Sequence, residues 1–66
     1  MRVLINGEEK HLSGSLTLTD LLERLELSSQ RVAIELNKNV VRKKDWAETS
    51  INDGDRIEVV HFVGGG

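Results

Sequence analysis

The 66-residue chain contains no cysteine and no proline, and its only aromatic residues are Trp46 and Phe62. Without cysteine the chain has no disulfide, no thiolate ligand for a metal and no thiol nucleophile, so any sulfur chemistry requires a thiol on a partner. A chain of this size buries only about 60% of the surface that its unfolded form exposes. We therefore expect one small domain with an aliphatic core and no deep active-site cleft.

An excess of positive charge and long apolar runs are also missing. Nine lysines and arginines stand against eleven aspartates and glutamates, for a net charge of −2, which argues against binding nucleic acid or membranes through bulk attraction. No run approaches the ~20 apolar residues of a membrane span. The apolar residues 3 to 5 are too few for a signal peptide. We expect a soluble, cytoplasmic protein.

The first predicted element is a β-hairpin. Val3, Leu4 and Ile5 lead into Asn6-Gly7, the strongest two-residue hairpin signal, because both central positions of a type I′ turn take positive φ. Residues 8 to 12 are expected to form the returning strand.

A short amphipathic helix is expected to begin at Leu18. Thr17 can cap it, and Asp20 stands at the third helical position. Leucines follow at i, i+3, i+4 and i+7 and form one apolar stripe: Leu18, Leu21, Leu22 and Leu25. A leucine zipper is the alternative, but the stripe covers only two turns, and coiled coils need three or four heptads.

The second half of the chain predicts three further strands. Val32 to Leu36 alternates, Asn37-Lys38-Asn39 turns the chain into Val40-Val41, and residues 56 to 62 follow a turn at Asn52 to Asp55. One helical turn is expected around Trp46, which we assign to the core. This order predicts an α+β fold of the β-grasp, ubiquitin-like type, in which a mixed sheet of four to five strands packs on one helix. We expect residues 1–63 to form this domain, with the first and last strands as parallel central neighbours.

Period two in the last strand predicts an exposed apolar pair. If Ile57 and Val59 face the helix, then Val60 and Phe62 face outward, and large exposed apolar side chains commonly mark an interaction surface. We therefore predict that Val60 and Phe62 dock a partner. The alternative is that Phe62 closes the core at the end of the sheet.

The remaining polar candidates carry little chemistry. His61 has no second group to orient it as a base, and His11 has no ligand partners nearby in sequence, so we expect neither a catalytic group nor a metal site. Asn52 to Asp55 lacks the spaced oxygen ligands of a calcium loop. Residues 42 to 44, Arg-Lys-Lys, either steer an acidic partner or form a solvated face.

The last three residues are Gly64, Gly65 and Gly66. Glycine has no Cβ, so three in a row are expected to form a thin, flexible tail able to enter a narrow channel. Extended, the tail would carry its terminal carboxylate roughly 10 Å beyond the last strand. This carboxylate is our candidate reactive group. The alternative is a frayed terminus or a remnant of cloning.

The whole chain resembles the ThiS family, the ubiquitin-like sulfur carriers of thiamine biosynthesis. The resemblance rests on the Val-Leu-Ile-Asn-Gly start, Thr17 before Asp20-Leu21-Leu22, the strand from Val32, the Asn-Asp-Gly-Asp turn and, most specifically, the ending from Ile57 to Gly66. It implies that the chain is not an enzyme and binds no cofactor of its own.

The resemblance also implies a set of partners. An E1-like adenylyltransferase of the ThiF type uses ATP and Mg²⁺ to adenylate the Gly66 carboxylate. A cysteine persulfide on a partner then supplies sulfur, leaving a thiocarboxylate, which a thiazole synthase of the ThiG type consumes.

Three alternatives share this fold. They are the small subunit of molybdopterin synthase, a TGS-like module of RNA-linked proteins, and a ubiquitin-like tag for protein lysines. Members of the first group tend to be longer, modules of the second usually lie inside longer chains, and the third uses the same activated carboxylate.

Overall fold

The computed structural model describes residues 1–62, which form one mixed sheet, one α-helix and one 3₁₀ helix. In chain order the elements are β1 (Arg2–Ile5), β2 (Glu8–His11), α1 (Leu18–Arg24), β3 (Val32–Leu36), β4 (Asn39–Val41), the 3₁₀ helix (Lys43–Glu48) and β5 (Arg56–His61). No helix within these residues is long and apolar enough to cross a membrane.

The sheet has the strand order β2-β1-β5-β3-β4, with β5 at its centre. β1 and β5 are parallel, with Leu4 opposite Arg56 and Ile5 opposite Ile57. The other neighbouring pairs are antiparallel. The predicted β-grasp architecture is therefore confirmed, including the parallel pairing of the first and last strands.

Tight turns connect two of the antiparallel pairs, β1 with β2 and β3 with β4. Asn6 and Gly7 have φ values of 50° and 82°, and Asn37 and Lys38 have values of 52° and 73°. Positive φ at both central residues matches the right-handed twist of the flanking strands. The second turn is one residue shorter than predicted, because Asn39 is already the first residue of β4.

Helix α1 begins where its capping residues predict. The Asp20 N–H donates to the Thr17 Oγ1 at 3.2 Å, and the Thr17 N–H donates to the Asp20 Oδ2 at 2.9 Å, which completes a capping box. Leu18, Leu21 and Leu22 are at most 2% exposed. Leu25 is partly buried against the core and caps the C-terminus of the helix. The predicted leucine stripe is confirmed.

Glu26, directly after the helix, adopts a backbone conformation that favours glycine. Its φ is 58°. Its N–H donates to the Glu23 carbonyl at 3.0 Å, and the Leu27 N–H donates to the Leu22 carbonyl at 2.9 Å. The second bond and the positive φ are those of a Schellman termination, in which the residue after the cap is usually glycine.

We expect Glu26→Gly to raise the free energy of unfolding by about 0.5–1 kcal/mol. Glycine removes a left-handed penalty of roughly 1–2 kcal/mol and gives back part of it through the more flexible unfolded chain. Urea unfolding measures the difference. Glu23→Gly, inside the same helix, is the control and should destabilise by about 0.5–1 kcal/mol. A lower midpoint for Glu26→Gly would contradict this reading of the helix end.

The core lies between α1, the covered face of the sheet and the 3₁₀ helix. Its buried members among the described residues are Val3, Ile5, Leu12, Leu16, Leu18, Leu21, Leu22, Val32, Ile34, Trp46, Ile51, Ile57 and Val59. Trp46 is 3% exposed, and its Nε1–H donates to the Val41 carbonyl at 2.8 Å. Both the core placement of Trp46 and the helical turn around it are confirmed.

A candidate docking face beside the glycine tail

The sheet covers α1 with one face and leaves the other open. Val60 of β5 lies on the open face opposite Ala33, and it is 50% exposed. Phe62, directly after β5, is 51% exposed, and its N–H donates to the Arg31 carbonyl at 2.9 Å. The two side chains are thus exposed as period two predicts. Their role in docking a partner stays a prediction.

The alternative placement of Phe62 in the core does not hold. Phe62 is half exposed and is absent from the apolar cluster around α1. We call the surface formed by Val60, Phe62 and Ala33 the docking face. In the sequence, Val63 alone separates Phe62 from the glycine tail.

Two carboxylates adjoin the docking face. Glu58 of β5 lies opposite Glu35 of β3, and Glu35 in turn lies opposite Val40 of β4, which is 70% exposed. Like charges directly opposite each other on a sheet are unfavourable. Within residues 1–62 no cationic nitrogen lies within 4.0 Å of either carboxylate. The open face is therefore apolar around Val60 and Phe62 and acidic around Glu35 and Glu58.

The histidines lie apart from this face or at its margin. His61 is exposed and lies opposite Val32 at the end of β5. The His11 Nε2 lies 3.2 Å from the Glu9 Oε2 on the exposed strand β2. Throughout the part of the chain that the structure describes, no group of three or more histidine, aspartate or glutamate side chains is arranged to hold a metal ion.

The start of β5 is fixed by acceptors in the turn before it. The Asp55 Oδ2 accepts the Asn52 N–H at 2.7 Å, and the Asp55 Oδ1 accepts the Asn37 Nδ2–H at 3.0 Å. The Arg56 N–H donates to the Asn37 Oδ1 at 2.9 Å. Residues 52 to 55 therefore form a structural turn, as predicted. The Asp55 carboxylate accepts hydrogen bonds from a backbone N–H and a side-chain amide.

The far part of β5 is hydrogen-bonded by the side chain of Asn6, for which the sequence predicts only a place in the turn. The Asn6 Oδ1 accepts the Val59 N–H at 2.8 Å, and the Asn6 Nδ2–H donates to the Val59 carbonyl at 3.3 Å. These residues are 53 positions apart, so no local pattern reveals the contact. An available clue was asparagine at the first turn position, because its amide can bond a backbone where glycine cannot.

The basic residues after β4 are exposed. Arg42 precedes the 3₁₀ helix, and Lys43 and Lys44 form its first turn. Their predicted part in steering an acidic partner stays a prediction. Gly64, Gly65 and Gly66 lie outside the described residues, as does the predicted boundary of the domain at residue 63.

Comparison with known proteins decides the family. The model of the ThiS family matches residues 3–66. The chain belongs to the ThiS family. A crystal structure of the thiamine biosynthesis protein ThiS from Geobacter metallireducens superposes with a TM-score of 0.87 at 35% identity, and the match covers 100% of both chains. The resemblance found in the sequence is thereby confirmed, together with its fold.

Two other relatives differ in length: one is about as long as this chain, and the other is several times longer. The chain is 40% identical over 63 residues to the sulfur carrier protein ThiS of Bacillus subtilis, a match that covers 94% of this chain and 96% of that protein. It is 46% identical over 66 residues to a thiazole synthase of Paramagnetospirillum magneticum, of which it covers 20%. The chain thus spans about a fifth of the first curated relatives that it matches.

Proposed function

We propose that the chain is a sulfur carrier of thiamine biosynthesis whose Gly66 carboxylate becomes a thiocarboxylate. The observation that carries the proposal is the similarity over 63 residues to the sulfur carrier protein ThiS of Bacillus subtilis, which spans nearly the full length of both proteins. The exposed apolar side chains of Val60 and Phe62, shortly before the tail in the sequence, support it, because such side chains commonly mark an interaction surface.

Activation converts a poor electrophile into a good one. A Gly66 carboxylate oxygen attacks the α-phosphorus of ATP on an E1-like adenylyltransferase of the ThiF type, and pyrophosphate leaves. Mg²⁺ bound with the ATP on that enzyme would supply charge neutralisation at the phosphates. The product is a mixed anhydride whose AMP is a good leaving group. Because the chain has no cysteine, no thiol of its own can attack this anhydride.

Sulfur is then transferred from a cysteine persulfide of a partner. Its terminal sulfur attacks the Gly66 acyl carbon, and AMP leaves. A second thiol attacks the partner's sulfur in the resulting S–S bond, which releases the thiocarboxylate and leaves a disulfide. Glycines at positions 64 to 66 suit these steps because a chain without Cβ atoms fits a narrow site.

In this scheme the chain is a carrier and co-substrate and not an enzyme. His61 is exposed and has no hydrogen-bonded partner among residues 1–62 that could orient it as a base. Because activation consumes ATP, we propose that the reaction takes place in the cytoplasm. Adenylation and sulfur supply are the work of partners, and the carrier contributes its terminal carboxylate and its docking face.

A thiazole synthase is the proposed acceptor of the sulfur. Thiazole synthases of Paramagnetospirillum magneticum and Magnetococcus marinus contain a segment that matches 100% of this chain, at 46% and 39% identity, and that makes up 20% of each protein. Joining a carrier to its acceptor in one polypeptide raises the effective concentration of one for the other. Such joining is useful where the two act together.

Binding to purified partners tests the pathway. We expect the chain to bind a thiazole synthase and not the large subunit of molybdopterin synthase, with both titrated under the same conditions. Preference for the large subunit of molybdopterin synthase would assign the chain to the molybdopterin pathway instead of thiamine biosynthesis. Salt-dependent binding of RNA, with neither enzyme bound, would favour a TGS-like module.

The docking face yields a separate prediction. We expect Phe62→Ala to weaken binding to the E1-like adenylyltransferase about tenfold or more, as is typical of an aromatic side chain at the centre of an interface. The free energy of unfolding should change little, because Phe62 is 51% exposed. Calorimetric titration and urea unfolding measure the two quantities.

Val40→Ala is the matched control for this prediction. Val40 is also apolar and on the open face, and it is 70% exposed, but it lies on the edge strand β4, two strands away from β5. We expect the Kd of Val40→Ala for the E1-like adenylyltransferase to stay within about twofold of the wild-type value. Unchanged affinity of Phe62→Ala together with a large loss of stability would assign Phe62 a structural role instead.

A further inference from the structure

The side chain of Asn6 continues the β1–β5 ladder beyond the end of β1. In the parallel pairing the Leu4 N–H donates to the Asp55 carbonyl at 3.0 Å, and the Asn6 N–H donates to the Ile57 carbonyl at 2.9 Å. In a regular parallel ladder the next bond would run from the Val59 N–H to the backbone carbonyl of Asn6. Here the Asn6 Oδ1 accepts that N–H at 2.8 Å.

The turn explains why a side chain takes this place. Asn6 has φ of 50°, which turns the chain away from β5 into the hairpin. Its amide also donates to the Val59 carbonyl at 3.3 Å. Both backbone groups of Val59 are therefore bound by one side chain. Glycine would make the same turn but would leave the two groups without this partner.

The hydrogen bonds to β5 extend to different residues on its two sides. On the β3 side the strand is held as far as Phe62, whose N–H donates to the Arg31 carbonyl at 2.9 Å. On the β1 side the contact of Asn6 with Val59 is the last hydrogen bond within residues 1–62. Val60, which belongs to the docking face, comes next. Asn6 therefore determines the last residue at which β5 is hydrogen-bonded on its β1 side.

We propose that Asn6 is a positioning residue for the reaction at Gly66. By holding Val59, it fixes the direction in which β5 presents Val60 and Phe62 to the adenylating partner. This role rests on the proposed function. Binding then requires less ordering of the strand, since a segment fixed beforehand loses less conformational entropy on association.

Asn37 provides a matched control at the opposite end of β5. It also has positive φ, 52°, and its Oδ1 also accepts an N–H of β5, that of Arg56 at 2.9 Å. Asn6→Gly and Asn37→Gly therefore each remove a side-chain acceptor of similar geometry while keeping a residue suited to the turn. Only the first acceptor adjoins the docking face.

Two measurements test the role. Hydrogen exchange of the free protein should show the Val59 amide exchanging about five- to tenfold faster in Asn6→Gly, the usual effect of losing one hydrogen bond, and unchanged in Asn37→Gly. In ATP–pyrophosphate exchange with the E1-like adenylyltransferase, Asn6→Gly should raise the KM for the carrier about fivefold or more and leave kcat within about twofold. Asn37→Gly should change neither.

Asn6→Asp keeps the acceptor and removes the donor. We expect it to retain most of the Val59 protection and to raise KM less than Asn6→Gly does, which also provides a result if the glycine variant does not fold. Unchanged exchange at Val59, or equal KM values for Asn6→Gly and Asn37→Gly, would overturn the positioning role and leave the proposed function standing. An inert wild-type carrier would instead overturn the proposed function, and this role with it.

Discussion

Gly66→Val is expected to abolish thiocarboxylate formation while changing the free energy of unfolding by less than about 0.5 kcal/mol, as is usual for a substitution outside the core. The buried core of the described residues lies between Val3 and Val59, well before the tail. A β-branched side chain next to the reacting carboxylate adds bulk that a channel fitted to glycine cannot accept. The loss should therefore fall on chemistry and not on folding.

Mass spectrometry after incubation with the activating enzyme, ATP and a sulfur donor measures this effect, and urea unfolding measures stability. Deletion of Gly66 should behave in the same way. Gly65→Ala is the graded control and should impair activation less than Gly66→Val, because its added methyl group is small and lies one residue from the reacting carbon. A valine variant that acquires sulfur at the normal rate would refute the mechanism at the tail.

Leu22→Ala is expected to cost about 2–5 kcal/mol of stability, as is typical of deleting a buried leucine side chain. Leu22 is 2% exposed and lies on the face of α1 that covers the sheet. A domain of this size has only roughly 3–10 kcal/mol in total, at about 0.05–0.15 kcal/mol per residue. The substitution should thus remove a large part of the stability.

Urea unfolding measures this loss, and Trp46 is a convenient probe because it is the single tryptophan and is 3% exposed. Leu25→Ala is the matched control from the same leucine stripe. Because Leu25 is only partly buried, we expect Leu25→Ala to lower the free energy of unfolding clearly less than Leu22→Ala does. Equal midpoints for Leu22→Ala and the wild type would mean that α1 does not anchor the core.

Local patterns were sufficient to predict the helix and the hairpins. The capping box at Thr17 and Asp20 connects residues three positions apart, and positive φ at Asn6-Gly7 is a property of the turn itself. The isolated pairing of Thr17 with Ser50 was not predicted. It joins distant segments through bonds such as that from the Ile51 N–H to the Leu16 carbonyl, for which the sequence has no local signal.

In the candidate site, too, some features follow from local sequence patterns and others do not. Alternation along β5 was sufficient to place Val60 and Phe62 outward once Ile57 and Val59 were assigned to the core. The opposition of Glu35 and Glu58 depends on the register between two strands, and the contact of Asn6 with Val59 depends on the parallel neighbour chosen by β5. Such long-range pairing is set by the whole sheet and not by any window of the sequence.

Sulfur loading at Gly66 is tested most directly by the mass of the intact carrier after reaction with ATP, Mg²⁺, the E1-like adenylyltransferase and a persulfide donor. We expect one oxygen to be replaced by one sulfur and fragmentation to place the sulfur on Gly66. An unchanged mass, or sulfur found on any other residue, would contradict the claim that the terminal glycine carboxylate is the group that carries sulfur.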